Sequence, residues 1–197
     1  MSITTDSIRN VAVAGHGTTG KTALVESLLY SAGVIERPET VGSGKTVSDF
    51  TDEEIANTFS IHTALGHLNW ADTKINLLDT PGASDFVGEV VAAFRAAESS
   101  MMVVGARAGV QIETIKLWRR LDQRDMPRFV FVNRMDEERA EFAAVLNDLG
   151  EKFDKTFVPV TIPIGTGPDY RGVVSLIEMK AYMTPEAGGK ESPVDIP

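Results

Sequence analysis

A glycine-rich stretch between an apolar run and a helical pattern limits the possible folds of this chain more than any other feature. The stretch consists of Gly15, His16, Gly17, Thr18, Thr19, Gly20, Lys21 and Thr22. The apolar residues 11–14 before it predict a buried strand, and the apolar spacing over residues 23–30 predicts a helix. A loop in this position can hold phosphate through its backbone N–H groups and the positive start of the helix. Lys21 would add a full positive charge, and Thr22 would offer a hydroxyl to Mg²⁺.

Two patterns overlap in this stretch, and they predict different ligands. It matches the phosphate loop, G-x-x-x-x-G-K-T, and also the dinucleotide fingerprint, G-x-G-x-x-G. Glu36 and Glu39 lie near the ~20-residue offset at which a dinucleotide fold places its ribose-binding acid. A glycine-rich turn can also be a tight connection without a ligand. The lysine and hydroxyl at Lys21 and Thr22 favour the phosphate loop, because a dinucleotide fold has no use for them there.

Length, charge and cysteine content exclude several classes of protein. The 197 residues are enough for one α/β domain with its own core and an appended segment. No apolar run has membrane-spanning length, and the first residues lack the order of a signal peptide. The absence of cysteine excludes disulfides and thiolate metal sites and fits a cytoplasmic location. The net charge of −9 argues against indiscriminate nucleic-acid binding, and we expect no sequence-specific DNA binding.

A basic stretch leaves room for a local contact with RNA. Its members are Arg119, Arg120, Arg124 and Arg128. A solvated helix face is the simpler interpretation of such a charge run.

Strand and helix patterns alternate along residues 1–150. Further strands are predicted at 62–70, 74–78, 101–104 and 129–132, and helices at 86–94, 112–121 and 142–149. This alternation predicts an α/β fold with a mostly parallel sheet and helices on both faces. After Gly150 the pattern changes to two strands, at 156–164 and 172–177, and a tail rich in Pro, Gly and Glu at 185–197, which we expect to be mobile.

Residues 33–58 contain few apolar side chains, which predicts a mobile loop with a function. Within it, Gly44, Lys45 and Thr46 imitate a second phosphate loop. No strand precedes them, and Glu39 stands where the first glycine of the pattern belongs. We therefore expect Lys45 to be a solvated loop residue.

A second motif, Asp79-Thr80-Pro81-Gly82, also follows a predicted strand. Ligands of parallel sheets bind at the carboxyl ends of the strands, where the loop at Gly15 also lies. Asp79 can hold Mg²⁺ through water and so complete a shell begun by Thr22 and the phosphates. Gly82 lacks a side chain, so its N–H can approach a terminal phosphate closely. Alone, this motif would be an aspartate-capped turn, but its combination with the loop at Gly15 favours the phosphate site.

A third motif, at the end of the strand predicted over 129–132, offers groups that suit a purine base. Asp136 can accept hydrogen bonds from the N1–H and exocyclic amine of guanine, whereas adenine presents the opposite pattern at that edge. Asn133 can tie this loop to the phosphate loop, and Arg134 can lay its planar cation over the base. Alone, the motif would be a surface helix start. After the two earlier motifs it favours guanine and excludes the dinucleotide alternative.

The three motifs, in this order, resemble those of the translational GTPases, and within them elongation factor G and its paralogues. The resemblance extends over residues 9–183, and residues 49–61 match the family's first switch without gaps. Residues 170–177 are similar to the start of the inserted subdomain of elongation factor G, a feature that separates this branch from elongation factor Tu. The resemblance implies a P-loop NTPase (Ras-like) domain over residues 1–150, incomplete at its C-terminal edge. The beginning of the inserted β-containing subdomain and the tail would occupy residues 151–197.

The resemblance also implies an activity and a set of site residues. The cofactors would be GTP or GDP with Mg²⁺, the partner of the intact protein would be the ribosome, and the activity would be GTP hydrolysis in protein biosynthesis. Lys21 and Gly82 would act in catalysis, and Thr22, Ser60 and Asp79 would hold the metal. The nucleotide would be bound by Gly15, His16, Gly17, Thr18, Thr19, Gly20, Lys21, Thr22, Asp79, Gly82, Asn133, Arg134 and Asp136.

The first switch has Asn57-Thr58-Phe59-Ser60-Ile61 where the family usually has Arg-Gly-Ile-Thr-Ile, and Thr18, Ala83 and Arg134 also depart from the family's usual residues. Ser60 keeps the hydroxyl of the metal-binding threonine but lacks the methyl that stiffens it, so we expect a less firmly held closed switch. Arg134 replaces a lysine and keeps its charge, and Thr18 replaces a common aspartate. Ala83 replaces the histidine that orients the attacking water, so we expect slow hydrolysis.

The family's last guanine-contacting loop, a Ser-Ala near the end of the domain, is not found, and we expect the chain to be an N-terminal fragment of a larger protein. Two alternatives to a hydrolysing translation factor stay open. One is a GTP-dependent binding module that switches with little hydrolysis, and the other is a ribosome-protection GTPase of the tetracycline-resistance kind. A P-loop kinase is disfavoured, because it has no role for the second and third motifs.

Overall fold

The computed structural model describes residues 4–184 and 192–197, and the chain forms two compact units. The first unit comprises Met1–Val104 and Gln111–Phe131, and the second comprises Gly105–Val110 and Val132–Pro197. The predicted division after residue 150 stays a prediction.

A five-stranded sheet lies mostly within the first unit. Its strands are β1 (Ile8–Ala14), β2 (Ala64–Trp70), β3 (Thr73–Asp79), β4 (Ser99–Gly105) and β5 (Arg128–Asn133), in the order β2-β3-β1-β4-β5. β1 runs parallel to both β3 and β4, and β2 runs antiparallel to β3. The β2–β3 turn places Ala71 and Asp72 at positive φ, the backbone that matches the twist of a two-residue hairpin. The predicted mostly parallel sheet is confirmed.

Helices follow the strands where the apolar spacing predicted them: α1 (Lys21–Ser31), α3 (Val87–Ala96), α4 (Ile112–Asp122) and, in the second unit, α5 (Phe142–Phe153). The short helix α2 (Asp52–Asn57) was not predicted and lies in the segment expected to be a loop. One cluster of buried side chains joins α1 to the sheet; its members are Val13, Val25, Leu29, Leu68, Leu77, Met101 and Val103. Among the described residues, no helix combines the length and apolar character needed to cross a membrane.

The register of the sheet brings the first two sequence motifs together. Val13 of β1 pairs with Asp79 of β3, so the carboxyl ends of these parallel strands lie side by side. A side-chain hydrogen bond also connects β1 to the residue after β3, because the Thr80 hydroxyl donates to the carbonyl oxygen of Val13 at 2.8 Å. The loop that begins at Gly15 and the one that ends at Gly82 therefore leave the sheet at the same edge.

The second unit contains α5 and a four-stranded antiparallel sheet. Its strands are β6 (Thr161–Ile164), β7 (Gly172–Ser175), β8 (Lys180–Met183) and β9 (Pro193–Val194). β6 and β7 fall within the two predicted strands, whereas β8 and β9 were not predicted. β9 lies in the stretch predicted to be a mobile tail, where it pairs with β8. Residues 185–191 of that stretch lie outside the described residues.

Candidate functional site

The glycine-rich loop closes around the ammonium group of Lys21. The Lys21 Nζ donates to the carbonyl oxygens of Gly15 and His16 at 3.1 and 3.0 Å, and the side chain is 6% exposed. The Thr19 hydroxyl also donates to the His16 carbonyl, which fixes the curve of the loop. Burial lowers the pKa of Lys21 to about 8, although the negative charges of Asp79 and Asp49 counteract it. Lys21 thus begins helix α1 with its ammonium group hydrogen-bonded to the loop, and its role toward phosphate stays a prediction.

Gly82 packs against this loop so closely that only glycine fits. A Cβ atom at Gly82 would lie 2.5 Å from Lys21 Nζ and 2.6 Å from the backbone N and Cα of Gly17. Such distances are far inside van der Waals contact, so any side chain here would displace the backbone of the loop. The structure therefore brings Gly82, Gly17 and Lys21 together, which is the arrangement expected of a group that approaches a terminal phosphate.

The three predicted metal-binding residues meet beside Lys21. Thr22 Oγ1 donates to Asp79 Oδ2 at 2.8 Å and lies 3.4 Å from Ser60 Oγ. Ser60 Oγ in turn donates to Asp49 Oδ1 at 2.7 Å. Asp49 is 2% exposed and Asp79 is 1% exposed, so both carboxylates lie away from solvent.

The electrostatics of this cluster fit a bound cation. Burial raises the pKa of Asp79 to about 6, and hydrogen bonds from Ser48 and Thr22 together with the charge of Lys21 limit the rise. Burial also raises the pKa of Asp49, against the effect of its hydrogen bond from Ser60. Within the described residues, neither Asp49 Oδ2 nor Asp79 Oδ1 has a hydrogen-bond partner. Buried carboxylate oxygens without partners are costly, and a set of carboxylates and hydroxyls is the donor chemistry that Mg²⁺ prefers.

Asp49 was not predicted as a site residue. It lies 30 residues before Asp79 in a segment of low apolar content, and no local pattern distinguishes it from its acidic neighbours. The match of residues 49–61 to the family's first switch was the only signal that pointed to this stretch. Its contribution becomes visible only when the segment is folded against β3.

Residues 33–58, predicted to be a mobile loop, contain short helical elements and are held to α1 by hydrogen bonds, and their mobility stays a prediction. The segment contains a 3₁₀ turn at Val41–Ser43 and the helix α2. Glu26 of α1, which is 1% exposed, accepts hydrogen bonds from the backbone N–H groups of Glu39 and Val47 at 3.0 and 2.6 Å. Lys45, in the imitation of a phosphate loop, is exposed as predicted.

Ala83 is exposed at the start of a 3₁₀ turn, Ser84–Phe86. Phe86 at the end of that turn stacks on Phe59, with ring centroids 6.1 Å apart. Thr63 donates through its N–H to Glu89 Oε2, and its hydroxyl donates to the Glu89 carbonyl. The segment around Ser60 is therefore tied to the segment after Gly82 by an apolar contact and by hydrogen bonds.

The residues predicted to recognise the base lie in the second unit. Asn133 ends β5 and its carbonyl accepts from the N–H of Ala106 at 2.8 Å. In the turn that follows, Met135 is buried and Asp136 is exposed. Arg134 has φ +61° and forms a 2.8 Å ion pair with Glu137, so its guanidinium has a protein partner besides the expected base. The roles of Asn133, Arg134 and Asp136 toward guanine stay predictions.

The basic stretch divides into two kinds of residue. Arg119, Arg120 and Arg124 are exposed, as expected for a solvated helix face. Arg128 differs, because its guanidinium lies 4.6 Å from the ring centroid of Trp118 and pairs with Asp122 at 2.9 Å. The expectation of a uniformly solvated face is therefore wrong for Arg128, which packs against α4.

Comparison with known proteins agrees with this geometry. Residues 6–186 match the family model described as the elongation factor Tu GTP binding domain. The chain is 42% identical over 176 residues to the elongation factor G-like protein of Thermotoga maritima, a match that covers 89% of this chain and 25% of the relative. It superposes with a TM-score of 0.90 on a crystal structure from Thermus thermophilus, at 34% identity, over 97% of this chain and 28% of that one. The chain thus spans about a quarter of the length of these relatives.

The family model matches almost all of the described residues, and the matched range contains the glycine-rich loop, the Asp79 motif and the Asn133 motif. The chain belongs to the family of the elongation factor Tu GTP-binding domain, and it is a translational GTPase domain with a P-loop GTPase fold, related to elongation factor G-like proteins.

Proposed function

We propose that this chain binds GTP and GDP together with Mg²⁺, that it hydrolyses GTP slowly, and that its intact protein acts on the ribosome in the cytoplasm. One observation carries the proposal: the Thr22 hydroxyl contacts both Asp79 and Ser60, and the charge of Asp79 acts on the buried ammonium of Lys21. Asp49 Oδ2 and Asp79 Oδ1, which have no hydrogen-bond partner among the residues that the structure describes, support the inclusion of a cation.

Different residues would bind the phosphates and the metal. Lys21 and the backbone N–H groups of residues 17–22 would bind the phosphate oxygens, and Thr22, Ser60 and Asp79 would hold the metal, with Asp49 behind Ser60. Mg²⁺, when bound, would neutralise negative charge on the β- and γ-phosphates. Gly82 would present its N–H to the terminal phosphate from its position against Gly17. The chain supplies charge and placement, which is most of what phosphoryl transfer requires of a protein.

The side chain of Ala83 is a methyl group, which cannot form a hydrogen bond to orient the water that would attack the terminal phosphate. Removing one group that acts in the transition state commonly lowers the rate by roughly 10²–10³. Slow hydrolysis with intact binding is therefore the expected behaviour. The same observation favours a second candidate, a GTP-dependent switch in which hydrolysis has little part.

Nucleotide selectivity tests the assignment of the base. We expect the chain to bind GDP more tightly than ADP, because Asp136 would accept from guanine and face a mismatched edge of adenine. Mismatched polar edges cost about 1–3 kcal/mol each, or roughly 5- to 150-fold in affinity. Titration calorimetry with both nucleotides measures the preference. Removal of Mg²⁺ with a chelator should lower the affinity for GTP relative to the affinity measured with Mg²⁺ present.

Two variants make the test specific. Asp136→Ala should bring the affinity for GDP close to that for ADP, whereas Glu138→Ala, which removes an exposed carboxylate two residues away, should change neither affinity by more than about twofold. Equal affinity of the wild-type chain for GDP and ADP would contradict the role given to Asp136.

A further inference from the structure

Glu54 is a fully buried carboxylate that is not one of the proposed phosphate-, metal- or base-binding residues. It is the third residue of α2 and is 0% exposed. Within the described residues, it forms no ion pair with a lysine or arginine. A buried charge without a counter-charge is costly unless hydrogen bonds compensate it. Glu54 must therefore be satisfied by donors of its immediate surroundings.

The two oxygens of Glu54 have separate sets of donors. Oε2 accepts from the Thr51 hydroxyl at 2.8 Å, the Thr51 N–H at 3.1 Å and the Phe50 N–H at 3.3 Å. Oε1 accepts from the backbone N–H groups of Ile61 at 2.9 Å and His62 at 3.0 Å. Burial alone would raise the pKa of Glu54, but these hydrogen bonds outweigh it and hold the pKa at about 2.

The usual reason for a glutamate at this position explains only half of these bonds. Thr51 and Glu54 form a capping box, in which each side chain satisfies an N–H at the start of α2. That arrangement needs Oε2 alone. The bonds from Oε1 leave the helix and reach the chain seven and eight residues further on, where they do nothing for α2.

The backbone that Oε1 holds begins directly after Ser60. Ser60 lacks the second Cβ substituent that would restrict its χ1 angle, so its hydroxyl depends on the backbone for its position. Further along the chain, the same stretch is fixed by the hydrogen bonds between Thr63 and Glu89. The hydrogen bond from the Ile61 N–H to Glu54 fixes the backbone directly after Ser60. The Ser60 hydroxyl itself donates to Asp49 and lies close to the Thr22 hydroxyl.

We propose that Glu54 is a positioning residue for the metal-binding hydroxyl of Ser60, which it holds in place through the backbone N–H groups of Ile61 and His62. This inference rests on the proposed function, since it assigns Glu54 to the state in which Ser60 takes part in binding GTP. GDP binding should depend on it much less, because the first switch responds to the terminal phosphate.

Glu54→Gln tests the inference with little change in volume. An amide offers one acceptor oxygen and an NH₂ group, so it cannot accept from both sets of N–H donors. We expect at least a tenfold loss of affinity for guanylyl imidodiphosphate with Mg²⁺, and less than a twofold change for GDP. Glu53→Gln, at the exposed neighbouring position, should leave both affinities within twofold of wild type. An equal loss for the two nucleotides would overturn the inference.

A second background tests whether Glu54 acts through Ser60. In a Ser60→Ala variant the hydroxyl is already missing, so adding Glu54→Gln should lower the affinity for guanylyl imidodiphosphate less than twofold further. A full tenfold loss in that background would show that Glu54 acts elsewhere and would overturn the proposal. If Glu54→Gln does not fold, Glu54→Asp keeps the charge but loses one methylene of reach, and the same GTP-specific loss is expected.

Hydrogen exchange separates failure of this inference from failure of the proposed function. A wild-type chain that binds no guanine nucleotide would contradict the proposed function only. The amides of Ile61 and His62 should still exchange at least tenfold faster in Glu54→Gln than in wild type, with the amides of β1 unchanged. Unchanged exchange at Ile61 and His62 would overturn the role of Glu54 itself.

Discussion

Ala83 shows how much a single residue can decide in this site. It follows Gly82, whose close contact with Gly17 and Lys21 fixes the position of the turn. The charged groups that phosphoryl transfer needs are present at Lys21 and Asp79, and neither depends on the side chain at position 83. In the proposed function, Ala83 would affect only the placement of the attacking water, so rate and affinity should respond separately to substitution here.

Ala83→His should therefore raise the rate of GTP hydrolysis by roughly 10²–10³, with little change in nucleotide affinity. The complete gene product, assayed with and without ribosomes under saturating GTP, gives the rate. Asp85→His is a matched control, because it places the same side chain two residues further along the same exposed turn. A wild-type protein that is already fast, and gains nothing from the histidine, would mean that another group orients the water.

At the scale of elements, two carboxylates fasten the segment between α1 and β2. Glu26 holds the N–H groups of Glu39 and Val47, and Glu54 holds those of Ile61 and His62. The segment otherwise has few apolar contacts, and Phe50, Ile55 and Phe59 are exposed. Local stability should consequently depend on these polar bonds and on what Ser60 binds.

The segment should change its exchange behaviour with the nucleotide. If the proposed metal site is correct, GTP with Mg²⁺ would add a partner for Ser60, so amides of residues 33–58 should exchange more slowly with guanylyl imidodiphosphate than with GDP. Mass-spectrometric hydrogen exchange of the two complexes measures the difference. Residues 8–14 in β1 serve as the internal reference. Identical exchange in both complexes would contradict the assignment of this segment as a switch.

Acid should weaken the same segment through Glu54. Its pKa is lowered from 4.5 to about 2 in the folded chain, so its charged form contributes stability that is fully present above about pH 4.5. That contribution is lost as the pH falls toward 2. The difference in urea midpoint between wild type and Glu54→Gln should thus be constant between about pH 5 and pH 7 and should shrink below pH 4.5. A difference that grows in acid would contradict the sign of this shift.

At the scale of the whole molecule, the sequence predicts best what depends on neighbours along the chain. Apolar spacing located β1, β3, α1 and α4, and the rule that ligands bind at strand carboxyl ends placed Lys21 and Asp79 at one edge of the sheet. Asp49, Glu26 and Glu54 were missed, because their partners lie 7–21 residues away and appear only after folding. The strand β9 was missed because its residues carry no alternation and depend on pairing with β8.

Two lysines of this chain, Lys21 and Lys45, occur in similar sequence settings but differ in their surroundings. Lys21 follows a strand and is buried against Gly15 and His16, whereas Lys45 lies in the imitation of a phosphate loop and is exposed. If the first loop binds phosphate, only the first lysine should matter. Losing a buried charge partner commonly costs about 2–5 kcal/mol.

The most direct test is the affinity of Lys21→Ala and Lys45→Ala for GTP with Mg²⁺, measured by titration calorimetry on chains whose folding is first checked by thermal melting. The account predicts at least a roughly 30-fold loss for Lys21→Ala and less than a twofold change for Lys45→Ala. Equal affinities of folded Lys21→Ala and wild type, or a larger loss for Lys45→Ala, would contradict the assignment of residues 15–22 as the phosphate-binding loop.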